Sequence, residues 1–64
     1  MKNNYKVLTW KYDRYGYKVA LIDRQISFCS YVVAWCFDPD RMEWGQGHYF
    51  DDLEEARKYY RNNY

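Results

Sequence analysis

Cys29, Cys36 and His48 are the side chains best suited to nucleophilic or metal chemistry in this 64-residue chain. A cysteine beside a histidine is the smallest arrangement that makes an activated nucleophile, because the imidazole takes the thiol proton. Nothing in the sequence brings these groups together. Both cysteines stand in the apolar run FCSYVVAWCF, and apolar surroundings raise a thiol pKa. One histidine, two cysteines and scattered carboxylates lack the ligand spacing of a zinc site, so no metal or cofactor is expected. If Cys29 and Cys36 share one strand they stand about 23 Å apart, beyond disulfide reach. They therefore read as small apolar residues in or near the core.

Gly45-Gln46-Gly47 has neither the Lys-Ser/Thr of a phosphate loop nor the third glycine of a dinucleotide fingerprint. It reads as a bulge before a last strand. Asp51 and Asp52 would repel an anion from the helix start that follows. The carboxylates Asp38, Asp40 and Glu43 fall at a turn, and Asp51, Asp52, Glu54 and Glu55 at a helix start. Turn chemistry and capping account for most of them. The chemistry points away from an enzyme.

Binding chemistry is better represented. Tyr12, Arg14, Tyr15 and Tyr17, with Lys11 and Lys18, form a basic-aromatic patch around one hairpin. Rings that stack on bases and cations that meet phosphates would suit single-stranded nucleic acid. Tyr, Trp and Arg also dominate protein hot spots, and an ordinary hairpin with exposed tyrosines gives the same pattern. The core RRM motif does not occur. Arg41, Trp44 and His48 complete the candidate contact set, with Tyr12, Tyr15, Tyr17 and Trp44 as anchors and Arg14 and Arg41 as polar contacts.

Composition points the same way. Aromatic residues make up 23 % of the chain, against three Leu, two Ile and four Val. So small an interior cannot take fifteen rings, so several must be exposed, and exposed Tyr favours a contact surface. A net charge of +1 lacks the basic excess of a duplex binder. No apolar run approaches a membrane span and MKNNYKV holds no signal-peptide core, so the expected location is the cytoplasm.

The elements that position these residues follow from periodicity. Met1–Asn4 is polar and reads as a frayed end. Tyr5–Tyr12 alternates as a strand, with Tyr5, Val7 and Thr9 on one face and Leu8, Trp10 and Tyr12 on the other. Asp13–Gly16 is a turn, Tyr17–Asp23 a second strand, and Asp23–Ser27 an ill-defined connection. Phe28–Phe37 is a third strand, apolar on both faces. Asp38-Pro39-Asp40-Arg41 is a turn with Pro presetting φ. Met42–Trp44 and His48–Phe50 make a fourth strand interrupted by the glycines. Asp51 with Glu54 resembles a capping box. It opens a helix over about Asp52–Asn62 with Leu53, Ala56, Tyr60 and Tyr64 on one face. The expected fold is a single α+β domain, a four-stranded antiparallel meander with one C-terminal helix on one face (ββββα), the other sheet face being left open.

The closing pattern, Tyr49-Phe50, then Asp52-Leu53-Glu54-Glu55-Ala56, then Tyr59-Tyr60, covers about the last third of the chain. It resembles the strand-to-helix ending of small α+β proteins of phages and mobile elements, anti-CRISPR inhibitors among them. The resemblance implies a protein that sterically occupies a surface of a bacterial defence effector. It carries over no functional residue. The expected function is thus a non-enzymatic protein-binding module. The alternatives are a single-stranded nucleic-acid binder using the same hairpin, or a homodimer joined through the apolar third strand.

Overall fold

The computed structural model describes residues 5–64, so the expectation for Met1–Asn4 lies outside the described residues. Four strands, β1 (Lys6–Tyr12), β2 (Lys18–Asp23), β3 (Tyr31–Trp35) and β4 (Gln46–Phe50), precede one helix, α1 (Leu53–Asn63). The strands form one antiparallel sheet in the order β1-β2-β3-β4, and α1 packs on one face. The ββββα arrangement is the one the sequence pattern predicts.

The helix begins one residue later than the capping-box reading places it. Asp52, not Asp51, is the N-cap: its backbone is extended and its carboxylate accepts the Glu54 amide at 3.2 Å. The Asp51 carboxylate instead accepts the amide of Cys29 at 2.6 Å. Glu54 and Glu55 lie in the first turn and Arg61 in the last, the order that complements the helix dipole. Ala56 is fully buried, and its methyl lets α1 approach Val19, Leu21 and Val33 closely. Leu8, Tyr31, Trp35, Phe50, Leu53, Tyr59, Tyr60 and Tyr64 close the rim of this first core.

β1 departs from simple alternation. Val7 pairs with Ile22 and Thr9 with Leu21, so the register shifts at Leu8. One extra residue reverses the face of all that follows. Leu8 and Thr9 therefore lie on the helix side, and Val7, Trp10 and Tyr12 on the other. Periodicity alone cannot register such a bulge.

The third strand is shorter than its apolar run. Phe28 is exposed, Cys29 has φ 48° and Cys36 has φ 61°, and such left-handed residues end the ladder at both ends. Past Cys36 the chain has changed face, and the Phe37 amide donates to the carbonyl of Lys18 at 2.9 Å. Phe37 is buried on the face away from α1, whereas Cys36 is exposed. The core placement expected for the cysteines is thus wrong for Cys36.

The second face is not open. Ala20, Ile22, Val32 and Ala34 are fully buried there, under Phe37, Met42, Trp44 and Tyr5. The β3–β4 connection folds back as a second lid. Asp38 and Glu43 exchange backbone hydrogen bonds, and Asp38 also accepts the Asp40 amide at 3.0 Å. The turn runs on through Met42, whose φ is 54°, so residues 42–44 are not part of the last strand. Ala20, Ala34 and Gly47 lie opposite one another across three strands and form a shallow trough. A Cβ on Gly47 would stand 2.7 Å from the indole nitrogen of Trp44 and 3.0 Å from Val32. The glycine is a seat for Trp44 rather than a bulge.

Two stability outcomes follow. Gly47→Ala, which adds strand propensity, destabilises by about 1–3 kcal/mol because the methyl displaces the indole; a denaturation midpoint at or above that of the parent chain would refute the seat. Cys36→Gly is more stable than Cys36→Val by about 1–2 kcal/mol, the reverse of strand propensity, because only glycine takes positive φ without penalty. Thermal denaturation of the pair ranks them.

Candidate functional site

The β1–β2 hairpin is held by one carboxylate. Asp13 accepts the amides of Tyr15 and Tyr17 through Oδ1, both at 2.9 Å. Its Oδ2 accepts the indole N–H of Trp35 at 3.0 Å. The Asp13 amide donates to the Tyr17 carbonyl at 2.8 Å, and Gly16 turns the chain at φ 90°. Side-chain turn closure by Asp is a local event. The Trp35 bond is not, since it ties the hairpin tip to the end of β3.

This frame sorts the rings onto two sides. On the side away from α1, Trp10 and Tyr12 meet edge to face at 5.5 Å. Lys18 reaches over both, its Nζ 4.4 Å from the Trp10 ring centre and 5.8 Å from that of Tyr12. Trp10 and Tyr12 remain 50 % and 60 % exposed. On the helix side, Tyr17 leans on Trp35 at 4.9 Å. There Arg14, Tyr15, Trp35, Gln46, Arg61 and Tyr64 line a cleft of about 470 Å³. Tyr15, 76 % exposed, stands at the tip, with the Arg14 guanidinium 5.9 Å from its ring centre. Lys11 points to α1 and lies 4.6 Å over the ring of Tyr60.

Of the expected contact residues, Tyr12, Arg14, Tyr15 and Tyr17 share this end of the molecule. The others lie elsewhere. Trp44 is half-buried in the second lid, 5.8 Å from Tyr5 and 6.4 Å from Phe37, and its indole donates to the hydroxyl of Tyr49 at 3.2 Å. Arg41 is exposed in the turn of that lid. His48 stacks on Tyr59 at 4.5 Å beside α1. Trp10, Trp35 and Arg61 belong to the hairpin end and were not singled out from the sequence. The i,i+2 spacing of Trp10 and Tyr12 is a signal for the first. The Asp13–Trp35 bond, across 22 residues, leaves no local trace.

His48 pairs with Val33 at the middle of β3, whereas Cys29 and Cys36 lie beyond the two ends of that strand. Both thiols are free. Loss of hydration and the charge of Asp51 push the Cys29 thiol above its ordinary pKa, so it is a weaker nucleophile at neutral pH. Burial also raises the Tyr60 phenol, partly offset by its bond with Thr9, and raises that of Tyr64 beside Tyr59. Among the described residues, no group of three or more His, Cys, Asp or Glu is placed to hold a metal ion. No described helix is long and apolar enough to cross a membrane.

The geometry defines the class as a small α+β domain with an aromatic-basic hairpin end. Comparison with known proteins finds no match to any family model, curated protein or solved structure.

Asp13 makes the hairpin sensitive to acid. Loss of hydration raises its pKa, but the Trp35 indole and the amides of Tyr17, Tyr15 and Gly16 outweigh this and hold the carboxyl below its ordinary value of 3.8. A carboxyl with a depressed folded-state pKa contributes stability that is complete above its unfolded-state value. That stability is lost as pH falls through 3.8 and then through the lower folded value. Asp13→Asn should therefore flatten the acid limb of stability against pH in that window, as read from urea midpoints. An unchanged acid limb would remove Asp13 from its role.

Proposed function

We propose that the chain is a non-enzymatic protein-binding module that engages its partner through the β1–β2 hairpin end. The observation that carries the reading is the hairpin's construction. Two amide hydrogen bonds to the Asp13 carboxylate fix the hairpin backbone and a third, from the Trp35 indole, ties it to β3, while Trp10, Tyr12 and Tyr15 stay half or more exposed. Rings already held in place lose little freedom on docking, and Tyr, Trp and Arg anchor most protein hot spots. Arg14 and Lys18 lie over these rings and supply donors at the rim. Asp38, Asp40 and Glu43 in the adjoining lid keep the charge mixed, which suits a protein better than a polyphosphate. The resemblance of the closing strand–helix segment to anti-CRISPR-type proteins makes a bacterial defence effector the first class of partner to try. Inhibition would be steric, by occupation of its surface.

A second reading has its own observation. An ammonium reaching over Trp10 and Tyr12 is the combination that holds single-stranded nucleic acid, ring on base and cation on phosphate. Affinity capture from bacterial lysate, with and without nuclease, separates the two. A Tyr12→Ala, Arg14→Ala, Tyr15→Ala variant serves as the control, with its fold checked by circular dichroism. The expected result is a protein retained with or without nuclease and lost by the folded variant. Retention that disappears with nuclease and falls steeply with salt favours the nucleic-acid reading. Equal capture by the variant overturns the hairpin as the site.

A further inference from the structure

The connection between β2 and β3, residues 24–30, turns its polar groups inward and its apolar groups out. The Arg24 amide donates to the Ser30 carbonyl at 2.7 Å. The Arg24 guanidinium donates to the Cys29 carbonyl at 2.6 Å and lies 4.5 Å over the ring of Tyr49. Asp23 accepts both the Gln25 amide and the Ser30 hydroxyl, and Asp51 accepts the Cys29 amide. Left-handed backbone at Gln25 and Cys29, φ 57° and 48°, completes the form. Yet Phe28 is 72 % exposed and Ile26 is 49 % exposed. A segment ordered this firmly gains almost nothing in stability from a phenyl ring left in water. It does present a pre-ordered apolar knob, which lowers the cost of docking. Asp51, Asp52, Glu54 and Glu55, at the start of α1, put acidic side chains at the same end.

The other end of the sheet carries a cleft instead of a knob. Trp35, Tyr15 and Tyr64 wall the cleft of about 470 Å³, with Arg14 and Arg61 on its lining. That volume lies in the range of about 300–1,000 Å³ that holds a drug-sized molecule, so a phenyl ring has room there. Asp13 also lines the cleft, but both of its oxygens are engaged, by the Tyr15 and Tyr17 amides and the Trp35 indole, which leaves Arg14 and Arg61 as the charges free to meet an acidic rim. β2 leads from the cleft end to the knob, and β3 leads back, so knob and cleft face opposite ways along the strands.

We propose that a second copy of this chain seats its Phe28 knob in the cleft beside Trp35, acidic rim against Arg14 and Arg61, in a head-to-tail contact. α1 runs from the knob end to the cleft end, so stacked copies bring the positive end of one helix dipole toward the negative end of the next. The contact is heterologous, and it repeats into a ring or an open chain of copies. It goes beyond partner binding, and it competes with it for Arg14 and Tyr15.

Sedimentation of the full chain across a range of concentrations, with two variants, tests this. The wild-type weight-average mass should rise with concentration past that of a dimer. Phe28→Asp loses the knob and Arg61→Glu reverses a charge on the cleft. Each should weaken self-association at least about tenfold. Both residues are exposed, and circular dichroism confirms that each variant folds. Mixed in equal amounts they should form a one-to-one pair and nothing larger, because each supplies the one intact surface the other lacks. A wild-type chain that stays monomeric overturns the proposal, as does assembly untouched by Phe28→Asp, or a mixture that fails to pair. The proposed partner binding is read separately. Phe28→Asp leaves the hairpin intact, so it should still capture a partner, whichever way the assembly test falls.

Discussion

A four-stranded sheet has two faces, and among the described residues there is one helix to cover them. The interaction that resolves the shortage is the Trp44 indole lying on Gly47. Small side chains at Ala20 and Ala34 continue the same trough, so a flat ring can sit close to the backbone across three strands. The β3–β4 connection closes over that contact. Phe37 joins the face, Asp38 and Glu43 pinch the turn, and Met42 and Tyr5 fill the margins. The apolar residues of β3 on that face are covered by the chain's own lid.

The second device is left-handed backbone at residues other than glycine. The chain has only three Gly and one Pro, yet it turns sharply at Gln25, Cys29, Cys36 and Met42. Each such residue costs of the order of 1–2 kcal/mol against an ordinary conformation. Those conformations persist where surrounding hydrogen bonds over-determine them, as around Cys29, whose amide and carbonyl are both engaged. The flip at Cys36 delivers Phe37 to the second core. The pair at Gln25 and Cys29 turns Phe28 outward.

Much of this was legible in the sequence. The ββββα order, the helix face of Leu53, Ala56, Tyr60 and Tyr64, and the Asp13–Gly16 turn follow from local pattern, because the forces that set them act over a few residues. The exceptions share a cause in tertiary structure. The Leu8 bulge reverses most of β1, and no composition signal marks it. FCSYVVAWCF reads as one long strand because positive φ at a cysteine has no sequence signature. Asp51 and Asp52 are chemically equivalent as caps, and only the distant Cys29 amide decides which one caps. At the candidate site, Tyr12, Arg14, Tyr15 and Tyr17 cluster because they are neighbours in sequence. Trp44 and His48 were legible as rings but not as members of the second lid and the helix seam.

The bulge at Leu8 has a consequence for how the sheet meets its surroundings. β1 is an outer strand, with one side of its ladder free of partners. A regular strand there would be a template on which another extended chain could continue the sheet. The offset at Leu8 interrupts the even spacing of amides and carbonyls and increases the local twist. A chain laid along that side would fall out of step midway. The same irregularity that hid the faces of β1 from the sequence thus makes that edge a poorer template for a further strand.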